Sequence, residues 1–164
     1  MDDDRAPWWK GTRGEWLVVV QLTLMAVVFL GPRRIGDIGS SPWPAARAWQ
    51  SAGLALMISG LVLLLAGAVR LGHGLTPLPY PKDGAQLIDT GPFALVRHPM
   101  YSGGILIAFG WALCACSWLT VAYASVLFVF LDFKSRREER WLEARYPGYQ
   151  DYRRRVSRLV PFVY

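Results

Sequence analysis

Arg97, His98 and Tyr101 fall within five residues of one another, and Lys134, Glu138 and Glu139 within six, with a long uncharged run between the two groups. Together they offer two cations, an imidazole, a phenol and two carboxylates, a set suited to gripping a charged ligand beside a reacting group. Other chemistries lack their parts. His73 and His98 are the chain's two histidines and no cysteine adjoins either, so a metal cluster has no ligand set, and neither a Gly-rich phosphate loop nor a Ser-His-Asp set is present. A reaction needing no metal and little proton transfer fits best. Pro99 lacks a backbone N–H and suits the first turn of a helix, which turns that helix's free amides and positive end toward Arg97 and His98. Such a helix start can hold an anionic group. Simpler roles are also open: Arg97 can snorkel, His98 can cap, and Glu138 can pair with Lys134 at the i, i+4 spacing.

The element that must bring these groups together is the uncharged run. From Pro99 no charged residue occurs for 33 residues, until Asp132. One straight helix of that length would reach about 50 Å, against about 30 Å of bilayer core. The run therefore reads as two short spans, 100–115 and 118–133, folded into a hairpin at Cys116-Ser117-Trp118. The hairpin returns Lys134 to Glu139 to the face that carries Arg97 to Tyr101.

With 53% hydrophobic residues and eight Trp in 164, the chain is expected to be a single all-α integral membrane domain with about four spans. A first span covers 16–31, entered through Trp8, Trp9 and Trp16 and stopped by Gly31-Pro32; Gln21 and Thr23 are its polar residues. It is read as retained and not as a signal peptide. A second span covers 50–70, where Ser51, Gly53, Ser59, Gly60 and Gly67 supply small-residue grooves whose expected role is helix packing. Between these two spans, 35–48 reads as a loop lying in the interface through Trp43 and Trp49. The connection from Arg70 to Val96, broken by Pro77, Pro79 and Pro81, is long enough to be expected to bind something. Cys114 and Cys116 lie in an apolar run and read as small membrane residues.

The net charge of +6 would permit nucleic-acid binding, but the basic residues flank apolar spans, so lipid headgroups are the expected basic partner and nucleic acid is not. With an uncharged turn at Cys116 facing away from the cytoplasm, fifteen of the 18 Lys and Arg fall on the cytoplasmic side together with both termini. From Lys134 onward the pattern is hydrophilic and helical, broken at Tyr146-Pro147-Gly148, and ends in an amphipathic segment suited to anionic lipid.

These residues resemble the isoprenylcysteine carboxyl methyltransferase family, taken broadly to include bacterial membrane methyltransferases and phospholipid methyltransferases. The pieces are Thr90-Gly91-Pro92-Phe93, Val96-Arg97-His98-Pro99-Met100-Tyr101-Ser102-Gly103, Glu138-Glu139 followed by Leu142, and Tyr149-x-x-Tyr152-x-x-x-Val156 leading to Leu159-Val160-Pro161. The resemblance implies a multi-pass enzyme, a bacterial inner-membrane protein, that binds S-adenosylmethionine on its cytoplasmic side and releases S-adenosylhomocysteine. The methyl would pass to a lipophilic acceptor entering from the bilayer: an isoprenylcysteine-like carboxylate, a lipid, or a small apolar thiol or amine. It implies a cofactor-binding part over 85–161, with contacts from Ala85, Gln86, Leu87, Ile88, Phe93, His98, Pro99, Met100, Tyr101 and Glu138. Arg97 would meet a carboxylate of cofactor or acceptor. Lys134 stands where the prenylcysteine enzymes carry an acceptor-touching arginine, and it cannot give the same forked grip on a carboxylate. Two other readings compete. One is a sterol-reductase-like enzyme using NADPH, since those enzymes share a similar Arg-His-x-x-Tyr corner. The other is a non-enzymatic membrane scaffold. Oligomeric state is open.

Overall fold

The computed structural model describes residues 15–36, 43–72 and 87–161. The expectations for Met1 to Arg13 and for the Pro77 to Pro81 stretch lie outside them. The architecture is helical: α1 (Glu15–Leu30), α2 (Ala46–Leu71), a single turn α3 (Pro92–Leu95), α4 (Pro99–Cys114), α5 (Trp118–Arg145) and α6 (Tyr149–Arg155). Pro99 opens α4 as its sequence position predicts. The hairpin bends where expected. Cys116 takes a left-handed φ of 47°, and the Ser117 hydroxyl caps α5 by accepting from the Thr120 amide at 3.2 Å. The same hydroxyl donates to the Arg33 carbonyl at 2.9 Å, tying the end of α1 to the turn.

One boundary differs from expectation. Helix α2 starts at Ala46, inside the stretch read as a loop, two residues after Pro44 and directly after Ala45, which takes a left-handed φ of 52°. The helical pattern expected from Lys134 to the break at Tyr146 continues the last apolar span as one helix, α5 running unbroken to Arg145. No Gly or Pro occurs between Trp118 and Arg145, and a change from apolar to charged residues alters what surrounds a helix without ending it.

The glycines read as packing residues do that work. α2 and α4 run antiparallel with backbones in close contact: a Cβ on Gly53 would lie 2.5 Å from the Gly110 carbonyl oxygen, and one on Gly60 2.6 Å from that of Gly103. Pro99 and Met100 fill the space over Gly67. Seven-residue spacing on both helices keeps this seam on one face. The core proper joins Val28 of α1, Ile105 and Ala108 of α4, Ala124, Leu127 and Leu131 of α5, and Leu159 of the C-terminal segment.

Outside that core the apolar surface faces outward. Leu54, Ile58, Leu61, Val62, Leu65 and Val69 leave α2 as an exposed apolar face, and 17% of its most apolar window is buried. A soluble protein would hide such a helix; a bilayer accepts it. α2 and α5 are long and apolar enough to cross a membrane, whereas α1 and α4 are shorter apolar helices of 16 residues each. At the turn end Trp43 packs on Trp118 and Trp49, with ring centres 4.5 and 5.5 Å away, and the Arg33 guanidinium lies over Trp111. Clustered tryptophans of this kind suit a membrane interface.

Candidate functional site

At the opposite end of the hairpin, the start of α4 and the two residues before it meet α5 about four to six turns past the start of α5. The Arg97 Nε donates to Glu139 Oε1 at 2.7 Å. His98 lies between the two carboxylates, its Nε2 3.3 Å from Glu139 Oε1 and its Nδ1 3.8 Å from Glu138 Oε2. Its ring stacks parallel on Tyr101, centres 5.4 Å apart, and the Tyr101 hydroxyl donates to Glu138 Oε2 at 2.9 Å. The Lys134 ammonium donates to Gln21 Oε1 of α1 at 2.6 Å and lies 5.3 Å from the centre of the Tyr101 ring. Thus Arg97, His98, Tyr101, Lys134 and Glu138 form one cluster, as the hairpin predicts.

The C-terminal segment closes this corner from the other side. The Arg97 amide donates to the Ser157 carbonyl at 2.9 Å and the His98 amide to that of Arg158 at 3.2 Å, around a parallel bridge between Val96 and Ser157. The Ser102 hydroxyl donates to the Leu159 carbonyl at 2.7 Å. The Arg97 guanidinium reaches the carbonyls of Arg153 and Val156. Asp132 pairs with Arg158 at 2.9 Å and with Arg136 at 2.9 Å, fixing the segment to α5. The Tyr152 hydroxyl donates to the Phe93 carbonyl at 2.6 Å, joining α6 to α3. Burial pushes the phenols of Tyr149 and Tyr152 well above their ordinary range, the Glu139 carboxylate adding to the rise at Tyr149, so both remain protonated donors.

These contacts divide the two glutamates. Glu139 is 3% exposed and its Oε1 serves Arg97 and His98, while its Oε2 lies 3.9 Å from Arg153 Nε. Glu138 is 23% exposed and carries a hydrogen bond from Tyr101 on Oε2. One side chain is therefore enclosed by the fold, and the other is partly exposed at the edge of the cluster.

The remaining residues implied as cofactor contacts fall in different places. Leu87 and Ile88 precede α3 outside any helix and are partly buried. Phe93 is on α3, and Pro99 and Met100 pack against Gly67 of α2. Ala85 and Gln86 lie outside the described residues. Arg70 reaches across to the Thr90 hydroxyl, so the end of α2 steadies the turn before α3.

The roles of three participants were not assigned by the sequence reading, although Glu139 stood among its candidates. Glu139 was visible beside Glu138, but which of two adjacent helix residues faces inward depends on the packing. Gln21 had a signal, a polar side chain inside an apolar span. The 156–159 segment belongs to the quoted motif, but its docking on Arg97 to Ser102 could not be read from it, because those contacts use backbone carbonyls.

Comparison with known proteins finds relatives over about half of the chain. Over 84 residues, half of this chain, the sequence is 34% identical to a probable protein-S-isoprenylcysteine O-methyltransferase of Oryza sativa subsp. indica, and over 80 residues it is 31% identical to protein-S-isoprenylcysteine O-methyltransferase B of Arabidopsis thaliana. It is also 36% identical over 87 residues, 49% of this chain, to a Delta(14)-sterol reductase of Mus musculus. The chain spans under half the length of each: 44% and 41% of the plant proteins and 20% of the mouse protein. The family model for phospholipid methyltransferase matches residues 49–148, which carry the α2–α4 seam, the hairpin and the Arg97–Glu139 corner. On that match, the chain belongs to the phospholipid methyltransferase family.

Proposed function

We propose that the protein is a four-span integral membrane methyltransferase that takes the methyl of S-adenosylmethionine and passes it to a lipophilic acceptor. Both termini and the Arg97–Glu139 corner lie on the cytoplasmic side of a bacterial inner membrane, and one domain, 1–164, carries the activity through a cofactor-binding part at 85–161. The observation that carries the reading is the division of labour in the glutamate pair: Glu139 holds the corner together, and Glu138 keeps a reachable carboxylate beside His98 and Tyr101.

The residues present suit the cofactor. A carboxylate at the cluster edge matches ribose hydroxyls or an ammonium, and the buried Tyr149 hydroxyl, which has no hydrogen-bond partner among the described residues, is a donor left over beside Glu139. S-adenosylmethionine supplies a sulfonium-bound methyl, whose transfer is an in-line displacement. The protein must align donor and nucleophile and exclude water, and needs no strong acid or base. In this account Glu138, His98 and Tyr101 bind, together with the backbone of Ala85, Gln86, Leu87 and Ile88 and the side chains of Phe93, Pro99 and Met100. Arg97 orients Glu139 and the C-terminal segment. Lys134 faces the acceptor.

The sterol-reductase likeness supports a second reading, in which the same corner binds NADPH. Thermal unfolding in detergent separates the two: S-adenosylhomocysteine at a hundred times its dissociation constant is expected to stabilise the protein by about 2.7 kcal/mol, and NADPH to leave the transition in place. The reverse pattern would move the assignment to the reductase chemistry.

A further inference from the structure

Lys134 is buried to 1% exposure, yet its ammonium has a neutral partner, the Gln21 carboxamide, at 2.6 Å, with the face of Tyr101 beside it. Its negative neighbour Glu138 accepts from Tyr101. A cation removed from water ordinarily takes a carboxylate partner, because an amide oxygen offsets little of the lost hydration. Gln21 is itself weakly held. Its Nε2 points at the Met25 sulfur 4.0 Å away, a poor acceptor, so nothing strong fixes the carboxamide except Lys134. Gln21 also stands on α1, outside the 49–148 region that matches the family, and among neighbours such as Leu22 that are exposed on an apolar helix. The ammonium is thus covered by a partly buried, neutral oxygen that has no other strong partner.

We propose that the Gln21 carboxamide is a placeholder on Lys134, occupying the position that a carboxylate oxygen of the lipophilic acceptor takes. The acceptor's carboxylate replaces Oε1 at the ammonium, and the released carboxamide turns its N–H donors to the same carboxylate. Gln21 is then a specificity-determining residue. It makes the protein prefer an anionic amphiphile to a neutral one, since only a charged group gains enough at Lys134 to displace the amide. This inference rests on the methyltransferase reading for its acceptor.

The test uses the full chain in detergent, with N-acetyl-S-farnesyl-L-cysteine and its carboxamide as probes, titrated by calorimetry in the presence of S-adenosylhomocysteine. The wild type is expected to bind the acid at least about ten-fold tighter than the carboxamide. Gln21→Glu places a permanent carboxylate on Lys134 and is expected to remove that preference, while Gln21→Ala, which takes the competitor away, keeps the acid affinity or raises it. S-adenosylhomocysteine should bind all three proteins alike. The inference is overturned if the wild type binds neither probe or both equally, if Gln21→Glu keeps the preference, or if Gln21→Ala loses acid binding as Gln21→Glu does. Failure of S-adenosylhomocysteine to bind the wild type is a different result and overturns the methyltransferase reading instead.

Discussion

Arg97→Ala is expected to destabilise the folded protein by about 3–5 kcal/mol, the range for stripping one partner from a buried ion pair. The Arg97 and Glu139 side chains are 8% and 3% exposed, so the substitution takes the shortest ion-pair contact from a carboxylate that water does not reach, leaving it His98 and the more distant Arg153. It also removes the donor that serves the carbonyls of Arg153 and Val156, and with it the grip on the segment that lies against Val96 and His98. Arg97→Lys recovers a fraction of this, because a point-like ammonium cannot reach a carboxylate and two carbonyls at once. Thermal unfolding in detergent checks it. A variant that melts with the wild type but fails only to bind ligand would return Arg97 to a direct ligand contact.

A second large effect is expected at the α2–α4 seam. In Gly103→Leu the new Cβ would sit 2.5 Å from the Gly60 carbonyl oxygen and 2.8 Å from the backbone nitrogen of Leu64, and the rest of the side chain has no space. Backbone atoms on both sides cannot swing away as a side-chain tip can, so the helices must separate. Overpacking of this kind costs about 1–3 kcal/mol, and more where backbone has to move. Parting the seam also shifts Pro99 and Met100 off Gly67, which displaces the start of α4 and the corner built on it. Gly104→Ala is the matched control, since a Cβ there meets nothing within 4 Å, and alanine favours the helix by about 0.5–1 kcal/mol. Monodispersity in detergent and melting temperature report both. Equal behaviour of the two variants would refute the close backbone contact.

The contrast between those two neighbouring glycines shows what a sequence can carry. Repetition of small residues at Gly53, Gly60 and Gly67 was legible as a packing stripe because periodicity is a property of the chain itself. Their partners Gly103 and Gly110 were not, since pairing depends on how two helices are set against each other. The hairpin was legible from length alone: 33 uncharged residues do not fit one bilayer crossing. That geometry already brought Arg97 to Tyr101 against Lys134 to Glu139. The finer assignments needed coordinates. Glu138 and Glu139 differ by about 100° around the helix, and only the position of α4 decides which is enclosed. The helical pattern from Lys134 to the break at Tyr146 was legible too, and the structure joins it to the preceding span as one helix, α5. The C-terminal segment stood out as a motif, but its closure over Arg97 to Ser102 uses main-chain carbonyls of Arg153 to Leu159, so no residue type announces where it docks.

The central claim, a cofactor site whose reachable carboxylate is Glu138, is tested most directly by calorimetric titration of S-adenosylhomocysteine into the detergent-purified wild type and its Glu138→Ala variant. The account predicts saturable binding by the wild type and affinity lower by about ten- to a hundred-fold in the variant, the loss expected for a hydrogen bond to a charged group, with melting temperature preserved. Equal binding by both proteins, or no binding by a folded wild type, would contradict it.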